Sequence, residues 1–328
     1  MMGILTVKGV KMSTNSIPTE QQVIKWMDEL SNWKRWGEDD QMGALNLITP
    51  ESVKQSISLV NDGISVSCAR PLDTNIDAEV YRPTQRLMLE SGEGWQYHEK
   101  NTDFQIQAAL EHLSMVYHGY HITHIDSPAH FFWNGKMYND RPSYLVSTNL
   151  GATVNSVDNA KNGIVGRGIL VDVPLIRKVN WLDRHEGVMP QDILAAEKKC
   201  GFEIQPGDIL FIRTGQLRRT LTEGPFSPPD DGSTACQAAC LPIFRERDIS
   251  VLGTDTSNDM IPSGYKTVTN PIHQIGLVQM GIWIIDNANL EELSQICKEK
   301  NRWEFMVNIG PLRIVGGTGS PVNPIALF

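Results

Sequence analysis

Apolar residues along this chain change spacing repeatedly, and each change marks an element. Over 18–30 they recur at helical intervals, at Val23, Ile24, Trp26, Met27 and Leu30, behind a proline, the cap residue Thr19 and an early Glu20. That pattern predicts a helix. A second is expected over 49–57, where Thr49 caps and Pro50 occupies the first turn, and two more over 191–200 and 290–300. Short runs rich in Val and Ile read as strands at 64–70, around 118–126, and at 168–173, 208–213, 249–253, 281–285 and 313–315. Such runs alternating with helical stretches indicate an α/β protein with a mixed sheet, in one domain over 18–328. Residues 1–17 show neither period and are expected as a loose, flexible arm, with Met12 an alternative start.

Composition narrows the class. A chain of 328 residues, 41% hydrophobic, can bury an ordinary core. The net charge is -9, and no basic run exceeds Lys34-Arg35 or Arg218-Arg219, which argues against a nucleic-acid partner. No apolar run approaches the roughly 20 residues of a membrane helix, and no secretory h-region opens the chain, so a cytoplasmic protein is expected. Five cysteines, an odd number widely spaced, suit reduced thiols. Cys236 and Cys240, at helical spacing, read as a shared apolar face rather than a metal clamp.

The candidate chemistry is concentrated in one place. Four of the eight histidines, His118, His121, His124 and His130, fall within thirteen residues, and Asp126 follows the third by two places. If 123–126 is extended, His124 and Asp126 project from the same face and offer one nitrogen and one oxygen to a metal ion. Pro128 ends the strand, and the turn carries His130 back toward that pair. His118 shares the parity of His124, but six extended residues would separate them by roughly 20 Å, so it joins the site only if the chain bends, as Gly119 permits. His121 has the wrong parity for a straight strand and ranks below His118. His98, His112 and His185 read as surface or core histidines.

Thr123, His124, Asp126, Pro128 and His130 match the second half of the signature His-x-Gly-Thr-His-x-Asp-x-Pro-x-His, and the chain thereby resembles the metal-dependent cyclase-like hydrolases, the family of kynurenine formamidase and isatin hydrolase. Tyr120 stands where that family has its first ligand histidine, and Ile122 where it has glycine. Tyr117-His118-Gly119 is similar to the triplet of the family's longer subgroup. Further phrases carry the resemblance over roughly 30–328: Trp36-Gly37, Asp40-Gln41, Gly166-Arg167-Gly168, Gln205-Pro206-Gly207-Asp208 and Gly316-Gly317 through Pro324. The resemblance implies a swivelling β/β/α arrangement, a homo-oligomer, and a second ligand-bearing segment in which His273 and Asp286 are the candidates. Aspartate there is one methylene shorter than the family's usual glutamate.

Imidazole and carboxylate ligands suit one divalent ion, Zn or Mn, which would acidify a water molecule. His130 is placed as general base, as the matching histidine is in the family, with an acidic limb expected near the ordinary histidine pKa of about 6.5. No glycine-rich phosphate loop or nucleophile elbow is present. The expected activity is hydrolysis of a small lactone or cyclic amide, with an arylformamidase acting on N-formylkynurenine-like amides, or a metal-stabilised ligand-binding protein, as alternatives. Phe131, Phe132 and Trp133 are candidates for an apolar wall or for core packing. Asp255 to Asp259 reads as an ordered polar loop, and Tyr138-Asn139 as the end of a turn.

Overall fold

The longer strands of the computed structural model, which describes residues 4–7, 10–13, 16–93 and 108–328, run in chain order. They are β1 (Ile4–Val7), β2 (Val10–Ser13), β3 (Ser65–Ser67), β4 (Gln85–Glu90), β5 (Leu110–Ser114), β6 (His124–Asp126) and β7 (Ile164–Asp172), then β8 (Ile209–Arg213), β9 (Val251–Thr254), β10 (Trp283–Asp286), β11 (Glu304–Ile309), β12 (Gly319–Pro321) and β13 (Ile325–Leu327). Nine of them form one mixed sheet in the order β12-β6-β10-β9-β8-β7-β11-β13-β3. The neighbours from β7 to β10 are parallel, and the remaining pairings in the sheet are antiparallel. This is the mixed α/β domain that the spacing of apolar runs predicts.

Burial explains the parallel block. β8, β9 and β10 are buried at every position, as continuous apolar runs must be when both sheet faces are covered. The core packs Leu170, Phe211, Leu252, Trp283 and Phe305 against residues of the surrounding helices, among them Ile193, Phe244 and Leu293. The sheet is also strongly curled. Only residues 322–324 connect β12, the first strand in spatial order, to β13, the eighth, and that link reaches about 14 Å when fully extended. Seven spacings of a flat sheet would separate the two strands by about 34 Å. The sheet therefore bends round on itself, which brings the C-terminal glycine segment against the histidine motif.

Helices lie at Glu20–Glu29, Pro50–Ile57, Pro190–Cys200 and Glu291–Lys300, where their caps place them. The Thr19 hydroxyl accepts from the Gln22 amide at 3.3 Å, and Thr49 forms a reciprocal capping box with Ser52. Trp33 anchors the turn that follows, its Nε1 donating to the Val278 carbonyl at 2.7 Å. The Asn139 side chain donates to the carbonyls of Gly37, Glu38 and Asp40. Both are structural ties. All five cysteines are free, and no helix among the described residues is long and apolar enough to cross a membrane. β1 and β2, in the stretch expected as an arm, pair as an antiparallel hairpin.

Two strand expectations are corrected. Residues 313–315 form no strand; beyond β7 the sheet is continued instead by β11, whose Phe305, Val307 and Ile309 are buried in strict alternation, and by β13. The expected strand around 118–126 contracts to β6, because Gly119 takes φ +152° and residues 118–122 bend. His98 lies outside the described residues.

One buried ion network ties the parallel block to the C-terminal helix. Arg213, 1% exposed at its side chain, donates to Asp172 Oδ1 at 2.9 Å and to both oxygens of Glu291 at 2.8 and 2.9 Å, while Ser294 Oγ donates to Asp172 Oδ2 at 2.6 Å. Removing one member of such a group leaves uncompensated buried charge. Arg213→Ala is expected to destabilise the fold by about 3–5 kcal/mol, read from urea unfolding; a change below about 1 kcal/mol, within the range of an exposed pair, would contradict it.

Candidate metal centre

The site forms where the C-terminal end of β10 meets the start of antiparallel β6, with Asp286 directly opposite His124. Open α/β sheets gather ligand groups at the carboxyl ends of their parallel strands. His124 and Asp126 point the same way from β6, and both are essentially fully buried. The Gly119 bend then folds His118 back, so that its ring centroid lies 5.1 Å from that of His124. It stacks on His130 at 3.8 Å. Room for the His118 ring depends on Gly319, where a Cβ would meet His118 Cε1 at 2.8 Å and the Ile125 carbonyl oxygen at 2.6 Å.

Six side chains converge on Asp126 or its neighbourhood. His118 Nδ1 lies 2.9 Å from Asp126 Oδ1, and His124 Nε2 lies 3.5 Å from the same oxygen. On the other side, Asp126 Oδ2 is 3.4 Å from His273 Nε2 and 3.7 Å from His130 Nε2. Asp286 Oδ2 stands 3.7 Å from both His124 Nε2 and His273 Nε2. Metal bonds of about 2.0–2.2 Å set neighbouring donor atoms about 3.0–3.5 Å apart; the His124 and His273 separations from Asp126, 3.5 and 3.4 Å, fall in that range, and the three at 3.7 Å lie just beyond it. Two overlapping triads, His118/Asp126/His130 and His124/Asp126/Asp286, have donor atoms mutually within 4.8 Å.

The donor atoms are aimed. His124 Nδ1 donates to the Ile122 carbonyl at 2.8 Å, which leaves Nε2 as the atom presented to the site. His273 sits in a single π-helical turn, Ile272–Leu277, and its Nδ1 donates to Asp259 Oδ2 at 2.6 Å. Carboxylate–imidazole pairing of this kind orients metal-binding histidines. Asp286 Oδ1 accepts from Asn258 Nδ2 at 2.7 Å, which turns Oδ2 inward. Asn258 makes that contact from a left-handed backbone, φ +60°, a conformation asparagine tolerates better than most residues. His118 Nε2 pairs with Thr318 Oγ1 at 3.1 Å, leaving Nδ1 free to face Asp126.

Both oxygens of Asp126, and Nδ1 of His118, are buried without a hydrogen-bond partner of proper geometry. A buried carboxylate left unpaired costs on the order of several kcal/mol; a cation among these donors removes that cost. The electrostatics agree. Burial alone would raise the Asp126 pKa, but the surrounding imidazoles, His130 and His124 foremost, hold it well below the usual carboxylate range. Burial likewise opposes a proton on His273, yet Asp126, Asp259 and Asp286 outweigh it and raise its pKa. The cluster thus attracts positive charge. His130 is pushed down to about 3, by burial first and by the neighbouring imidazoles, against the pull of Asp126.

Every residue singled out in sequence for metal or proton chemistry, His118, His124, Asp126, His130, His273 and Asp286, lies in this cluster. His121 does not: its Nε2 is buried without a partner, and burial and Arg70 lower its pKa. Asp259 and Asn258 are the functional residues the sequence reading missed, since a polar loop carries no mark of the histidine fourteen positions later that it orients. Of the aromatic trio, Phe131 lies 4.9 Å from His273 and 5.4 Å from His130, ring centroid to centroid. Phe132 is 38% exposed, and Trp133 packs on the core.

Comparison with known proteins places this geometry. The family model described as "Putative cyclase" matches residues 19–258. The crystal structure of a novel cyclase is 28% identical with a TM-score of 0.84, covering 95% of this chain and 100% of that one. Isatin hydrolase A from Labrenzia aggregata, bound to benzyl benzoate, is 19% identical with a TM-score of 0.56, over 84% of this chain and 98% of its own. The Ralstonia solanacearum isatin hydrolase A is 18% identical, with a TM-score of 0.54 over 80% and 91%. These two share the fold. No curated protein matches the chain. A family match across most of the sequence leads to one conclusion: the chain belongs to the cyclase family.

Proposed function

We propose that this protein is a metal-dependent hydrolase of a small carbonyl compound, with a lactone or cyclic amide as substrate. The observation that carries the proposal is the Asp126 carboxylate, buried with neither oxygen in a hydrogen bond of proper geometry and facing the ring nitrogens of His118, His124, His130 and His273. His118, His124, Asp126, His273 and Asp286 would hold one divalent ion, Zn or Mn. Such an ion acidifies a water molecule and polarises a carbonyl oxygen when bound.

The remaining steps fall to the chain. His130 is neutral near pH 7, because burial and its imidazole neighbours depress its pKa to about 3, so its Nε2 has a lone pair for the proton of the attacking water. Water oxygen bonds to the carbonyl carbon, the carbon–oxygen or carbon–nitrogen bond opens, and the proton passes from His130 to the departing atom. Phe131, against the rings of His130 and His273, offers an aromatic face to a planar ring. Structural neighbours named isatin hydrolase support a cyclic amide as one substrate class. A binding protein without turnover has no use for a neutral histidine beside the donor set, and an arylformamidase would use the same groups on an open-chain amide.

Metal analysis, metal titration, kinetics and a substrate panel test this reading. Protein purified without added metal should carry about one divalent ion per chain, and His124→Ala and Asp126→Ala should lose it; full retention in both would sink the ligand assignment. His118→Ala should weaken metal binding, whereas His121→Ala should not, and affinity should fall as the pH is lowered because protons compete for the same nitrogens.

His130→Ala should keep most of the metal and lose turnover by about 10² to 10⁴. Since catalysis needs His130 neutral, activity should disappear only as pH falls toward its depressed pKa, so the acidic limb should lie below the about 6.5 of an ordinary histidine. Loss of the ion in this variant would instead make His130 a ligand. A panel of lactones, cyclic imides, isatin and N-formylkynurenine then separates the substrate classes; no turnover of any of them by the metal-loaded protein would favour the binding protein.

A further inference from the structure

The backbone between His118 and His124 is gathered by one side chain. Asn287 is 1% exposed and follows Asp286 at the end of β10, so the strand that presents a carboxylate to the cluster also places this amide beside it. Its Nδ2 donates to the Gly119 carbonyl at 2.7 Å and to the Ile122 carbonyl at 3.1 Å. Two oxygens bound to one nitrogen at those lengths lie within roughly 6 Å of each other, whereas three extended residues would set them roughly 10 Å apart. The amide thus closes the turn that Gly119 allows.

The clamp is itself fixed. The Asn287 backbone amide donates to the Thr256 carbonyl at 2.8 Å, and the Asn287 carbonyl accepts from Thr123 Oγ1 at 2.7 Å. Thr123 Oγ1 accepts in turn from the Arg70 amide at 2.9 Å. Arg70 Nη1 also donates to the Tyr120 carbonyl at 3.3 Å, but a bond to one carbonyl in mid-turn cannot draw the two ends of the turn together. Both acceptors of the Asn287 side chain are carbonyl oxygens, so only its nitrogen can face them, and Oδ1 is left buried without a partner. The backbone at 287 is left-handed, with φ +57°. Of the residues that accept this conformation readily, asparagine, aspartate and glycine, only asparagine has an amide with two hydrogens to give.

We propose that Asn287 is a positioning residue that selects the ligand set, folding His118 onto Asp126 and leaving His121 outside. The inference deepens the metal-dependent reading and rests on it for the role of His118 as a ligand. With the clamp removed, residues 119–122 relax toward extended backbone, which carries His118 off Asp126 and out of its stack on His130.

Asn287→Gly and Asn287→Asp test the proposal, since both keep the backbone tolerance and remove the two donors. In the full chain, with and without zinc, NMR cross-relaxation between the ring protons of His118 and His130, stacked at 3.8 Å, should appear in the wild type and vanish in both variants. Aspartate matches asparagine in shape, so it carries this measurement if the glycine variant does not fold. Zinc titration supplies the second reading. Asn287→Gly should lower zinc affinity by about 10- to 100-fold, as should His118→Ala, and the double variant should lose far less than the product of the two single losses, because both act on one ligand. Persistence of the His118–His130 contact in the variants, its absence from the wild type, or losses that multiply in the double variant overturns the proposal. A wild type that binds no zinc removes the metal-dependent reading, and the zinc-free comparison still decides the clamp.

Discussion

A carboxylate stripped of water is the constraint around which this molecule is arranged. Asp126 lies on a strand inside the sheet, its side chain 0% exposed, with neither oxygen satisfied by a hydrogen bond. Such a group is tolerated only where positive charge can reach it. The four imidazoles around it provide a partial answer and a divalent cation the full one, which explains why the most buried acid of the motif sits at the crossing of both candidate ligand triads. The same negative field that raises the pKa of His273 is the field that would draw a metal ion in.

The sheet holds that carboxylate still, and irregular backbone brings the other groups to it. β6 is clamped on both sides, by β10 and by β12, so His124 and Asp126 have little freedom. The groups that must be aimed come from less regular places: a bend at Gly119, a single π-helical turn at His273 and left-handed Asn258 and Asn287. Each is tied back to the frame. Asn287 donates to the carbonyls of Gly119 and Ile122, and Arg70 donates to those of Tyr120 and Asp255. Strained backbone near a site persists when its surroundings over-determine it, and here hydrogen bonds from buried side chains do so.

Curling of the sheet has a further consequence for the site. Because β12 must return to within a few residues of β13, the C-terminal segment is forced across β6, and Thr318 and Gly319 become part of the histidine cluster's wall. Tyr117 seals that contact, its hydroxyl donating to the Gly319 carbonyl at 2.8 Å. Residues two hundred positions apart are joined by topology alone.

Local chemistry of the chain determined a good deal. Side-chain alternation puts His124 and Asp126 on one face wherever that segment is extended, and proline at 128 ends the strand whatever surrounds it, so the core of the site was legible, as were the capped helices and the continuous apolar strands of the parallel block. Where a contact depends on long-range pairing, sequence is silent. The partnership of Asp259 with His273, the turning of Asp286 by Asn258, the space that Gly319 leaves for His118, and the choice of His118 over His121 follow from how the sheet curls and where the chain bends. The depressed pKa of His130 is also a tertiary property, since it arises first from burial and then from the imidazoles that the bent motif and the distant His273 bring against it. The strand at 304–309 was missed for a related reason: its alternating pattern matches many exposed segments, and only its pairing with β7 and β13 makes it a strand.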